Sequence, residues 1–305
     1  MDPTRAILLT TRVGVSRCQV YLLTQLTVSM IIDAAPALST AFIWALASIT
    51  YGDFMRRIKP ITVNFLRMLY ASTALLIPAI LLRFNVGAVW GSLSGLLSLA
   101  IGDSLYLMSI NYSGVSVAAP VSYTYIPITV LLATLLGEPL TALKVASGIL
   151  VVVGVYLLSH GESRVTIRGI LLALGASLAW AIGQTLIKVA DVNGLNPITL
   201  TFTRVAAACI VLLIVNYITH NDLEDAIKST IRTRLPLVAI LDLGIGVALY
   251  AYLIGLIGLG LTVIMTGSMP LIAQAMASVM GRERLTINRL LGAVVVVLAI
   301  LLIFL

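Results

Sequence analysis

Ten stretches of about 20 mostly apolar residues follow one another with very little between them. Each is long enough to cross the roughly 30 Å hydrocarbon layer of a bilayer as a helix. They run approximately over 36–55, 61–83, 89–111, 115–136, 142–159, 167–189, 197–219, 236–257, 260–280 and 287–305. A soluble fold would have no water-facing side chains to spare for ten such segments. Composition agrees, with 60% of residues hydrophobic and 10% charged, against roughly 45–50% and about 25% in soluble domains. The sequence predicts an all-α integral membrane protein with ten transmembrane helices.

The breaks carry charge or turn residues, as in Arg56-Arg57-Ile58-Lys59-Pro60, Gly137-Glu138-Pro139 and Asn193-Gly194-Leu195-Asn196-Pro197. Most are too short to hold a soluble domain. In the longer connection, 221–234, Leu223, Ala226, Ile227 and Ile231 follow helical spacing among charged residues. That pattern fits a short helix on the membrane surface or a solvated linker. Residues 1–35 form an N-terminal extension in which Arg5, Arg12 and Arg17 precede a short apolar run, 18–32. The run fits a short eleventh helix, a signal-like segment, or untranslated sequence with Met30 as the start.

Several functional classes are poorly served. The net charge is +7, but the basic residues sit between apolar runs, where they bear on membrane topology. No basic–aromatic surface for nucleic acid is visible. Cys18 and Cys209 lie far apart, and the two histidines are His160 and His220. No metal site and no cofactor are expected from so few ligands. There is no phosphate-binding Gly-Lys-Ser/Thr loop and no protease motif, so neither ATP-driven transport nor an enzyme is expected.

The chain repeats itself. Pro60-Ile61-Thr62-x-x-Phe65-x-Arg67 recurs as Pro197-Ile198-Thr199-x-x-Phe202-x-Arg204, 137 residues later. At offsets of 136 to 145, Trp44 matches Trp180, Leu105-Tyr106 matches Leu249-Tyr250, Pro127 matches Pro270, and Glu138-x-Leu140-Thr141 matches Glu283-x-Leu285-Thr286. The expected halves are 36–160 and 161–305. Each holds five helices, an odd number, so the second must enter the membrane from the opposite side. Such inverted repeats are a transporter architecture, with the substrate site between the halves near the midplane.

These features resemble the EamA family of drug/metabolite transporters. The resemblance is carried by Arg67 and Arg204 early in the second helix of each half, by the Gly137-Glu138 and Arg282-Glu283 turns, and by Gly148 and Gly292 that follow. It covers about 270 residues, and implies the ten-helix fold without naming a substrate. It also implies that both termini are cytoplasmic. The charge count points the other way. Connections after odd-numbered helices hold eleven Lys and Arg against three after even-numbered ones, which places the first set in the cytoplasm.

Ionisable groups inside a membrane are costly and mark functional candidates. Asp103, past the middle of the third helix, is the first candidate for a proton or cation site. Asp242 sits two turns into the eighth helix, about one turn out of register with Asp103, and is a second candidate for proton coupling. Trp44 and Trp180 lie mid-span, away from the interfacial belts that Trp favours. With Tyr106, Tyr123, Gln184 and Tyr250 they are candidates for the wall of a substrate site. Static packing would explain the same residues. Arg67 and Arg204, occurring in both halves, are expected to snorkel and tie helix ends. Pro127 and Pro270 are expected to kink their helices. Glu138 and Glu283 are expected to cap the helix that follows each.

The function expected is a secondary-active transporter, an exporter of a small polar metabolite or amino acid, working by alternating access with proton coupling at Asp103. A lipid-linked substrate flippase on the same fold is one alternative; a non-transporting membrane enzyme or receptor subunit is another. A small-molecule substrate and the lipid of the cell membrane are the expected partners, with the protein a monomer or homodimer.

Overall fold

The structure, a computed structural model, describes residues 35–159, 165–281 and 286–303. The run 18–32, His160, Arg164 and the Arg282-Glu283 turn fall outside the described residues. Among those described, every regular element is helical. The order is α1 (35–55), α2 (Pro60–Leu81), α3 (Gly87–Ser113), α4 in two pieces (Val115–Ser122 and Tyr125–Thr134), α5 (Ala142–Leu158), α6 (Ile167–Val192) and α7 (Pro197–Ile218). Then come the short α8 (Leu223–Thr230), α9 (Leu235–Ile257), α10 in two pieces (Leu259–Thr266 and Met269–Val279) and α11 (Ile287–Leu302). By length and composition seven of these are able to cross a membrane: α2, α3, α4, α6, α7, α9 and α10. Helices α5 and α11 are shorter apolar helices, and they pack along each other.

Local chemistry sets the boundaries. Pro60 and Pro197 open α2 and α7, where a missing N–H costs nothing. Thr141, Thr166 and Thr286 cap α5, α6 and α11 by accepting from Lys144 N, Gly169 N and Arg289 N. Helices α3 and α9 both stop at a glycine with positive φ, 71° at Gly114 and 91° at Gly258, a conformation that disfavours a side chain. The segment 221–234 does contain a helix, α8, capped by Asp222 and held to α2 by a 2.8 Å bond between Tyr70 Oη and Thr230 Oγ1.

The prolines act differently from a simple kink. Helix α4 breaks at Tyr123-Thr124 and α10 at Gly267-Ser268, and each break restarts with a proline in its first turn, Pro127 or Pro270. Helices α3 and α9 each contain a seven-residue π-helical stretch, Leu96–Gly102 and Ile240–Gly246. These stretches lie 144 residues apart and share a pattern, Leu97-Ser98-Leu99-Ala100-Ile101-Gly102 against Leu241-Asp242-Leu243-Gly244-Ile245-Gly246.

Two large apolar clusters form most of the core. One gathers α1, α2, α7 and the start of α9; the other gathers α4, α5, α6 and α10, and Trp44 packs against both. Glycine makes one close crossing possible. A Cβ on Gly95 would sit 2.0 Å from the backbone oxygen of Arg204, so α3 and α7 touch backbone to backbone.

Candidate functional site

The two π-helical stretches bring most of the polar interior together. A π turn is widened and its carbonyls are less well satisfied within the helix, which is one reason such turns gather at functional sites. Here the carbonyl of Ser98 accepts from Trp180 Nε1 at 3.2 Å and that of Leu99 from Asn64 Nδ2 at 3.0 Å. Asp103 follows the first stretch directly, and Asp242 lies inside the second.

Both acids converge on Arg67. Its Nη1 is 3.5 Å from Asp103 Oδ2 and its Nη2 is 3.2 Å from Asp242 Oδ2. Asp242 is the more tightly held, because Tyr51 Oη also donates to its Oδ2 at 2.8 Å. The ring of Tyr51 lies under the same guanidinium, with Cζ 4.5 Å from the centroid, a favourable cation–π placement. Asp103 receives its second bond from Trp180 Nε1 at 3.0 Å on Oδ1. The side chains of Arg67 and Asp103 retain 18% and 17% exposure, against 6% for Asp242. Asp242 is therefore the more deeply buried of the two acids.

The difference in register between the two acids does not separate them, because Arg67 reaches both. Nor does either arginine snorkel. Arg67 sits in the charged cluster, and Arg204 is 2% exposed with its Nη2 on Ser98 Oγ at 3.0 Å. For Arg67 the reason is plain: it finds two carboxylates in the interior and has no need to reach for the interface.

The aromatic candidates form two matched pairs. Trp44 packs against Tyr250 with tilted rings and centroids 5.2 Å apart, and Trp180 against Tyr106 likewise at 5.2 Å. Tyr125 meets the Trp180 ring edge-on at 5.7 Å. Tyr123 packs on Tyr125 and donates to Met269 Sδ at 3.4 Å. A Cβ on Gly102 would lie 2.6 Å from the Trp180 ring, and one on Gly246 would lie 3.0 Å from that of Trp44, so each indole rests on a glycine. Gln184 is on α6, one turn beyond Trp180; its Oε1 is buried without a partner, as is the hydroxyl of Tyr250. Pro127 and Pro270 shape the breaks and, having no N–H, donate no backbone hydrogen bond.

Glu138 caps a different helix from the one expected. Its Oε1 accepts from Leu259 N and its Oε2 from Gly260 N at 3.0 Å. It thus holds the start of α10, while Thr141 alone caps α5. The bend at Gly258 turns two free N–H groups toward the carboxylate, which is a favourable place for negative charge.

Sequence reasoning missed Tyr51, Asn64, Ser98 and Tyr125. The shared π-stretch pattern was the available signal for Ser98, since it aligns Ser98 with Asp242. Tyr51 falls two turns after Trp44 on the same face of α1, but it has no counterpart 136 residues on, where Ile187 stands. Repeat matching could not find it. Among the described residues no group of three or more His, Cys, Asp or Glu is placed to hold a metal ion.

Comparison with known proteins bears on what this arrangement serves. The chain is 27% identical over 276 residues to an uncharacterized transporter of Archaeoglobus fulgidus, covering 88% of this chain and 96% of that protein. A solved crystal structure superposes with a TM-score of 0.70 at 16% identity, over 89% of this chain and 96% of the other, which speaks to fold alone. The model of the EamA-like transporter family matches twice, over residues 15–160 and 167–305. The chain is a multi-pass membrane protein built from two copies of one unit, and it belongs to the EamA-like transporter family.

Proposed function

We propose that this protein is a secondary-active carrier that exports a small polar metabolite, amino acids included, across the cell membrane by alternating access. On this reading ten helices cross the membrane as two five-helix halves of opposite orientation, 36–160 and 161–305, with the substrate site between them. Contacts between connections support the alternation. Those after the first and seventh crossings meet through Lys59 Nζ and Asn221 Oδ1 at 2.7 Å, and those after the third and fifth through Ser113 Oγ and Thr166 Oγ1 at 2.9 Å. Connections after the second and sixth meet through Asn85 Nδ2 and Asn193 O at 3.1 Å, and after the fourth and eighth through Glu138 and Gly260 at 3.0 Å. Odd joins odd and even joins even, as an up-and-down bundle requires.

The observation that carries the proposal is the Arg67 bridge. Arg67 and Asp103 belong to the first half and Asp242 to the second. A buried ion network across two moving bodies favours a small number of discrete arrangements, because a half-satisfied network is costly. Protonating Asp103, the more loosely held acid, would weaken the first half's share of the bridge and leave the bond between halves in place. Charge at one position would then be coupled to how the halves sit. Trp44, Tyr106, Tyr123, Trp180, Gln184 and Tyr250 would line the substrate's side of the same space.

The test is flux. Purified protein in proteoliposomes would be screened for counterflow of labelled amino acids, organic acids, nucleosides and amines, with and without a pH gradient. We expect a saturable substrate whose uptake responds to the gradient in the parent protein and loses that response in Asp103→Asn. Flux that ignores the gradient in both would remove the coupling role. Scrambling of a fluorescent lipid with no solute flux would replace the carrier with a flippase.

A further inference from the structure

Arg204 is the most unusual charge in the molecule. It is 2% exposed, yet among the described residues no carboxylate pairs with it. Its one side-chain partner is the hydroxyl of Ser98, and its Nε is buried with no acceptor. Ser98 accepts from Arg204 and donates its own proton to Ser94 O at 2.6 Å, so it is a neutral partner that cannot balance the charge. The hydroxyl of Tyr250, a residue 1% exposed, is likewise buried without a partner. Helix α9, which carries Tyr250, packs against α7, which carries Arg204. A buried guanidinium without a counter-charge is strongly unfavourable, and a buried unpaired hydroxyl adds to the cost.

The repeat says what is missing. Arg67 and Arg204 are equivalent positions, and so are Asp242 and Ser98. In one half the arginine bonds to a built-in carboxylate at 3.2 Å; in the other the equivalent position offers a hydroxyl at 3.0 Å. We propose that the transported molecule supplies the absent carboxylate, and that Arg204 and Tyr250 bind it as the anion-recognising part of the substrate site. A planar carboxylate matches the donor fork of a guanidinium. Arg204 is one cation, and Arg67 is already engaged by two acids, so the site suits a monoanion better than a doubly charged phosphate. This assignment rests on the transporter reading and narrows it to substrates carrying a carboxylate.

Trp180 provides the readout, since it bonds to the carbonyl of the same Ser98. In a Trp90→Phe background, which leaves Trp44 and Trp180, the full-length protein in nanodiscs would be titrated with benzoate and with benzamide at fixed chloride. We expect a saturable fluorescence change with benzoate at concentrations at least about tenfold below those needed for benzamide. Arg204→Gln should erase that preference, and Tyr250→Phe should weaken benzoate binding several-fold. Ser98→Asp, which keeps Arg204 and installs the carboxylate internally, should exclude benzoate and covers the case in which Arg204→Gln does not fold. Equal response to benzoate and benzamide, or a preference surviving in both Arg204→Gln and Ser98→Asp, overturns the proposal. Arg204-dependent benzoate binding with no carboxylate flux in proteoliposomes would uphold the site and remove the transporter reading. Flux of only neutral or cationic solutes, unchanged by Arg204→Gln, would do the reverse.

Discussion

Arg67 and Arg204 occupy the same place in two copies of one unit and live in opposite circumstances. Arg67 has two carboxylates, a tyrosine hydroxyl on one of them and an aromatic ring beneath it. Arg204 has a serine. What surrounds them is nearly the same in both halves: a π-helical stretch, an indole resting on glycine, a tyrosine packed against that indole, and a glycine that ends the helix. The repeat has kept its frame and changed its charges. On the transport reading each follows from a separate need, since exchanging two conformations wants similar halves, whereas gripping an asymmetric molecule wants different ones.

Charge removal is the strongest way to break the comparison. Arg67→Gln leaves Asp103 and Asp242 buried together, and breaking a buried pair in this way typically costs about 3–5 kcal/mol. Arg204→Gln removes a buried charge that has no counter-ion, so it should leave stability unchanged or raise it. Thermal unfolding of both variants in one lipid composition decides it, and equal losses would mean that the two arginines are held alike. Next in size is Tyr51→Phe. It keeps the ring under Arg67 and deletes the bond to Asp242, for a loss of about 1.5–3 kcal/mol, the range for hydrogen bonds to charged groups. No such hydroxyl exists in the other half, where Ile187 stands, so Ile187→Val should cost only about 0.5–1.5 kcal/mol.

The glycine pair sharpens the frame itself. A methyl on Gly102 meets an indole pinned by two hydrogen bonds and flanked by Tyr106 and Tyr125. One on Gly246 meets Trp44, whose ring pairs with the Tyr250 ring alone. Gly102→Ala should therefore cost about 1–3 kcal/mol, the usual range for overpacking, and Gly246→Ala less. The reverse order would show that Trp44 is the more rigid of the two. A more local effect is expected at the ends: Glu138→Ala removes the cap from α10, at about 0.5–2 kcal/mol. Hydrogen exchange at Leu259 and Gly260 should rise in that variant, while exchange at Lys144, capped by Thr141, should not.

Apolar length and the charged or turn residues at the breaks made most helices legible from the sequence. The break in α4 and the π-helical stretches were not legible, because a one-residue change in winding leaves no mark on hydropathy. The charged cluster was half legible. Asp103 and Asp242 stand out as acids in apolar runs, but that they share Arg67 depends on how α2, α3 and α9 cross. Glu138 illustrates the same limit. Its turn is conspicuous, whereas the helix it caps is 121 residues away. Local signals named the residues, and long-range packing chose their partners.

The π-helical stretch in α3 also bears on how much the chain could change without unfolding. A π turn holds one more residue than the α turn it replaces, so α3 carries slack that its length alone does not reveal. Taking that residue up into ordinary α-helix would turn everything beyond it by about 100° and slide it by about 1.5 Å. Asp103 is the first residue past the stretch. A single rewinding of Leu96–Gly102 would thus swing its carboxylate off Arg67 and carry the rest of α3 with it. The same slack lies in α9 around Asp242 itself. Each half holds its acid on a ratchet one residue deep.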